Sequence, residues 1–139
     1  MMKPSMSLLF IVGLIASPAA DSNSESVTLT EQMAIHSQGV NAELGRGAPQ
    51  DLVKAAKWYR RAAELGYADA QNDLAKLYDD GRGVPQDDVQ AYVWYSLAAD
   101  RGNSCAAYDR KHLLQQMNRT ELTQAQAWLR ELKRTIKFK

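Results

Sequence analysis

The chain has 139 residues, with 17 lysines and arginines against 16 aspartates and glutamates, a length that fits one compact domain with a modest core and would crowd two. So even a charge balance speaks against nucleic acid as the main partner, because phosphate binding rests on a clear cationic excess. Cys105 is the only cysteine, which excludes an internal disulfide, and it is read as a small buried residue in preference to a reactive thiol.

Lys3 precedes the apolar run from Leu8 to Ala16, and small residues follow; that order describes a secretory signal. Ser17 and Ala19 suit the −3 and −1 positions of a cut after Ala19, and a cut after Ala20 is nearly as plausible. The apolar run is shorter than the roughly 20 residues that span a bilayer, and no cysteine near the cut offers a lipid attachment point. An uncleaved anchor is the competing reading, against which the polar stretch from Asp21 to Ser26 leaves the cut open to the peptidase. Residues 1–20 are therefore read as a signal, 21–28 as a polar linker and 29–139 as the folded domain. The mature protein is expected in the periplasm or outside the cell, with no membrane segment.

Residues 29–42 carry Gln38, Gly39, Asn41 and Ala42 where a segment 36 residues later carries Leu74, Ala75, Leu77 and Tyr78. The offset is that of an internal repeat, and its first helix is degenerate here: either a polar capping helix or a loosely ordered segment. From Gly45 onward the repeat is unmistakable. Gly45, Arg46, Gly47, Pro49, Gln50, Asp51, Val53, Ala55, Trp58, Tyr59, Ala62, Ala63, Gly66 and Ala70 return at the same offset, fourteen identities between residues 45–71 and 81–107.

Each unit reads as two helices. Ala55, Trp58, Tyr59, Ala62 and Ala63 stand at offsets 0, 3, 4, 7 and 8, as do Ala91, Trp94, Tyr95, Ala98 and Ala99, which is one face of a helix and predicts that both aromatic pairs are buried. Asp51 and Asp87 stand at the N-cap, with Gln90 placed to complete a capping box after Asp87. Gly66 and Gly102 follow the helix ends, where positive φ favours glycine. The next helix is predicted from about Ala68 to Tyr78, with Ala70, Leu74, Leu77 and Tyr78 on its apolar face, and Gly81 and Gly83 turn the chain back. Near the end, Asn118 and Glu121 form a capping box for a last helix whose apolar face is Leu122, Ala125, Trp128, Leu129 and Leu132. Lys133, Arg134, Lys137 and Lys139 either complement that helix's dipole or offer charge to an acidic partner or lipid headgroups.

The glycine turn, the A-x-x-W-Y-x-x-A-A helix and the trailing glycine resemble the Sel-one-like repeat family, relatives of the tetratricopeptide repeat, and the ending resembles that of exported bacterial members. The resemblance implies an all-α fold: a short right-handed α/α solenoid of antiparallel helix pairs, with units at about 36–71 and 72–107 and a C-terminal capping helix pair at 108–139. Its signature residues are Gly45, Gly47, Asp51, Trp58, Tyr59 and Gly66, then Gly81, Gly83, Asp87, Trp94, Tyr95 and Gly102.

Chemistry is scarce. His36 and His112 lie in no recognisable catalytic motif, Cys105 and His112 are seven apart on one predicted helix, and the Gly-x-Gly turns follow helices and precede no phosphate-binding lysine. No metal-ligand spacing occurs and no cofactor is expected. The resemblance and the solenoid architecture imply a non-catalytic adaptor that binds a protein in the bacterial envelope. Candidate contacts are the polar positions of the well-formed first helix, Gln71, Asn72, Asp73 and Lys76. The rivals are a cell-wall polymer binder using exposed Tyr67 and Tyr92, and a hydrolase of cell-wall peptides or β-lactams.

Overall fold

The computed structural model describes residues 27–135; the signal at 1–20, most of the linker and the last cations, Lys137 and Lys139, lie outside the described residues. Six helices follow one another and no strand occurs among the described residues: α1 (Leu29–Leu44), α2 (Leu52–Glu64), α3 (Ala68–Asp80), α4 (Asp88–Asp100), α5 (Ser104–Leu114) and α6 (Arg119–Thr135). They pack as α1 with α2, α3 with α4, and α5 and α6 against α4. This is an all-helical solenoid with a C-terminal helix pair.

Short-range chemistry accounts for most of the boundaries. Asp51 accepts from the Lys54 amide at 2.9 Å and Asp87 from the Gln90 amide at 3.0 Å, each satisfying one of the amide groups left open at a helix start. The expected box after Asp87 is only half made, because the Gln90 Oε1 atom is buried without a partner. Asn118 and Glu121 do form a full box, each side chain accepting from the other's amide at 2.9 Å. At the opposite ends, Gly45 (φ 67°) and Gly81 (φ 65°) turn left-handed. That lets the Arg46 amide reach the Asn41 carbonyl at 2.8 Å and the Arg82 amide reach that of Leu77 at 2.9 Å, a Schellman closure made twice.

The segment that the repeat left degenerate is a helix. Thr28 and Glu31 make a capping box at its start, and its one buried residue is Gly39, above whose Cα lies the Tyr59 ring: a Cβ there would sit 2.5 Å from Cδ1 and Cε1. A small residue is what lets a polar helix lie close on α2.

The core concentrates in α4, where every residue from Ala91 to Ala98 is buried. Such a helix, apolar on all sides, must be enclosed, and α3, α5 and α6 enclose it. Trp94 meets Trp128 of α6 edge to face, with centroids 6.5 Å apart, a favourable aromatic arrangement. Three expectations are corrected. Trp58, in the equivalent place on α2, is only half-buried and its ring is covered by the Arg61 guanidinium at 5.9 Å, because α6 lies against α4 whereas α4 makes little contact with α2. Cys105 is exposed, since it sits in the first turn of α5 on the side that no further helix covers. Tyr92 is buried and offers no ring to solvent.

Candidate partner-binding surface

The first helices of the pairs, α1, α3 and α5, stand side by side, and positions 36 residues apart form columns across them. His36, Asn72 and Tyr108 are one column. His36 is half-buried against α3 and Asn72 is 6% exposed, whereas Tyr108, beyond which no first helix follows among the described residues, is 64% exposed. That progression marks the column as the edge facing the next unit. The column Asp73 and Asp109 faces the preceding unit, as the first contact shows: His36 Nε2 lies 2.7 Å from Asp73 Oδ2. The His36 ring also stacks on Tyr59 at 5.3 Å and meets Tyr67 at 5.2 Å, so one side chain joins α1, α2 and α3.

Beneath these columns each unit repeats a phenol–carboxylate contact. Tyr59 Oη donates to Glu43 Oε2 at 2.6 Å and Tyr95 Oη to Asp79 Oδ2 at 3.1 Å. Burial, then the hydrogen bond to Glu43, pushes the Tyr59 phenol far above its ordinary value; burial, then the Asp79 and Asp109 charges, does the same to Tyr95. Both remain neutral donors at any physiological pH. Glu43 also meets Arg82 Nη1 at 3.7 Å.

Burial likewise raises the Asp79 carboxyl, helped by the charges of Asp80, Asp88 and Asp109, although the bond from Tyr95 works the other way. A carboxyl whose folded value lies above its unfolded one stabilises the fold when protonated, below about pH 3.8, and that contribution is lost as pH rises through the folded value. Asp79→Asn keeps an acceptor for Tyr95 without the charge. It is therefore expected to raise the melting temperature at pH 7, with a gain that shrinks on acidification. A lower melting temperature at pH 7 would mean that the charge-assisted bond outweighs the burial.

Of the four contact residues expected from sequence, two are not available to a partner. Gln71 is fully buried, its Nε2 donating to the Ala63 carbonyl at 3.0 Å, and Asn72 is closed in by the next unit. Helical spacing turns both toward packed neighbours. Asp73 is half-buried on His36, and of the four only Lys76 is exposed. Glu43, Asp79 and Asp109 went unremarked in the sequence, though an acidic pair at the repeat offset, 43 and 79, was visible to a comparison by charge in place of identity.

Cys105 and His112, separated by about 10 Å of helix rise, do not form a pair, and the His112 ring instead meets Tyr108 in a tilted arrangement at 4.4 Å. Among the described residues no three His, Cys, Asp or Glu side chains are placed to hold a metal ion, and no helix is long and apolar enough to cross a membrane. Lys133 Nζ meets Asp100 Oδ2 at 2.5 Å, tying the basic end of α6 to α4.

Helix pairs repeated with the same caps, the same left-handed turns and the same phenol–carboxylate contact define a tetratricopeptide-like α/α solenoid. The Sel1 repeat model matches residues 39–67 and 68–103. A protective antigen present in uropathogenic Escherichia coli strains, displaying an SLR fold, is 30% identical with a TM-score of 0.73, over 76% of this chain and 23% of that one. A Sel1 repeat protein from Oxalobacter formigenes is 40% identical with a TM-score of 0.58, over 59% of this chain and 24% of that one. The chain thus spans about a quarter of the length of these two solved relatives. No curated protein matches it. Residues 39–103 are thus two repeats of the Sel1 type.

Proposed function

We propose that this protein is a non-catalytic adaptor of the bacterial cell envelope that binds another protein across the face formed by α1, α3 and α5. The observation that carries the reading is the alignment of those helices. Stacked repeats present an extended binding surface, and here it combines the exposed Tyr108 and Lys76 with a framework held rigid by His36 and the two tyrosines. Sel1 repeats typically mediate protein interactions, which favours binding over catalysis. The signal read in residues 1–20 supports export, and the description of the Escherichia coli relative as a protective antigen agrees with a protein accessible outside the cytoplasm.

The test is crosslinking capture from envelope extract, read by mass spectrometry, with the wild-type protein and a Lys76→Glu/Tyr108→Ala variant. Both positions are exposed, so the variant should fold normally. One protein enriched by the wild type and lost with the variant is the expected result. Enrichment that the variant leaves intact would move the binding surface elsewhere, and none over control would overturn the adaptor reading.

A further inference from the structure

A cleft of about 240 Å³ lies where the turn between α3 and α4 rests on α2. Its apolar walls include Val53, Leu74 and Val84, and the polar side chains lining it are Lys57, Arg60 and Tyr78. Val53, Lys57 and Arg60 stand at offsets 0, 4 and 7 along α2 and so share one of its faces. Val53 is 54% exposed although it is aliphatic, which gives the open side of the cleft an apolar lip.

The polar set consists of donors. Arg60 Nη2 donates to Tyr78 Oη, with the guanidinium over the Tyr78 ring at 5.7 Å, and no hydrogen bond among the described residues takes the Tyr78 proton. Arg60 Nη1 stands 3.9 Å from Glu64 Oε1, beyond hydrogen-bond length. Lys57 enters none of the ion pairs among the described residues. It lies one turn from Arg60, a spacing at which like charges repel. Nor does the repeat itself require these cations, since α4 has Val93 and Ser96 at the equivalent places, both buried.

A ligand that fits offers an anion to the three donors and, a few bonds away, one apolar group. The space is smaller than the roughly 300–1,000 Å³ of small-molecule sites and takes little more than a single residue. The last residue of a polypeptide has this form, because its α-carboxylate and its side chain share one carbon. An internal aspartate or glutamate carries its charge at the tip of the side chain and brings no apolar branch. A free amino acid adds an ammonium that Lys57 and Arg60 repel.

We infer that this cleft binds the carboxyl-terminal residue of another protein chain, one that ends in an aliphatic side chain such as leucine. The carboxylate is held by Lys57, Arg60 and Tyr78 through charge-assisted hydrogen bonds, and the side chain lies on Val53, Leu74 and Val84. The site uses neither Lys76 nor Tyr108 and stands independently of the adaptor reading.

The probe is acetyl-Gly-Ser-Gly-Leu with a free carboxylate, titrated into the isotopically labelled protein and followed by amide shifts. Saturable shifts on α2, α3 and the turn between α3 and α4 are expected, with a dissociation constant on the order of 1 mM, the scale of one anchored residue. A twin ending in a carboxamide and a twin ending in serine should each bind about tenfold more weakly, the first without the charge and the second without the apolar side chain. Both comparisons use the wild-type protein and so do not depend on the folding of a variant. Lys57→Gln, at an exposed position, should weaken the leucine peptide by about fivefold with an unchanged melting curve. Lys76→Gln, on the side of α3 away from Leu74 and Tyr78, should leave binding within about twofold, as remote surface charges are screened. Equal binding of either twin, equal effects of the two substitutions, shifts centred on other helices or no saturable shift would each overturn the inference. Decanoate displacing the peptide at a lower concentration than the peptide's own dissociation constant would also overturn it, in favour of a fatty acid. The Lys76→Glu/Tyr108→Ala variant separates the two readings: loss of the captured partner with the peptide still bound shows two distinct sites.

Discussion

Trp94→Ala is expected to lower the unfolding free energy by about 3–5 kcal/mol, and Trp58→Ala by about 1–2 kcal/mol, although the two tryptophans hold the same place in the repeat. Trp94 is 1% exposed and packed on Trp128, so truncation leaves a cavity between α4 and α6 that neither helix can close without giving up other contacts. Trp58 is half-exposed, with Arg61 as its cover, and solvent fills the space its ring leaves. The Trp94 Nε1 atom has no partner, an existing penalty that truncation relieves, which puts its loss toward the lower end of the range. A loss of this size is a large part of the roughly 5–15 kcal/mol that holds a small domain folded. Urea unfolding of the two variants under one set of conditions decides the matter. Equal losses would show that α6 does not seal the α4 face.

The second large effect belongs to a glycine pair. Gly47 and Gly83 both have positive φ, 79° and 72°, so alanine at either meets a left-handed penalty of about 1–2 kcal/mol. At Gly47 a Cβ would meet nothing within 4 Å, whereas at Gly83 it would lie 2.3 Å from the Leu52 carbonyl oxygen and 2.5 Å from its carbon. Those are backbone atoms at the start of α2, which cannot rotate away. Gly83→Ala must lift the second turn off the first unit and is expected to cost about 1–3 kcal/mol beyond Gly47→Ala, the usual scale of overpacking. Thermal unfolding of both variants measures the difference directly, and matching melting temperatures would mean that the second turn does not rest on α2.

Local structure was legible in the sequence. Asp51, Asp87 and Asn118 declare helix starts, Gly45, Gly66, Gly81 and Gly102 declare ends, and the spacing of alanines and aromatics declares the packing face. Each of these preferences acts through atoms a few residues apart, so the two repeats, nearly alike in letters, make nearly alike helices, caps and turns. What those letters leave open is who the neighbour is. Trp58 and Trp94, Gly47 and Gly83, and the column of His36, Asn72 and Tyr108 each occupy one position in the repeat and end in different surroundings. The reason is that burial depends on whether another helix stacks on that side. α4 has α3, α5 and α6 around it; α1 and α5 each have an open edge. The interior place of Gln71 and Asn72 and the exposure of Cys105 were therefore decided by tertiary stacking, because contacts between units join residues tens of positions apart and no local pattern encodes them.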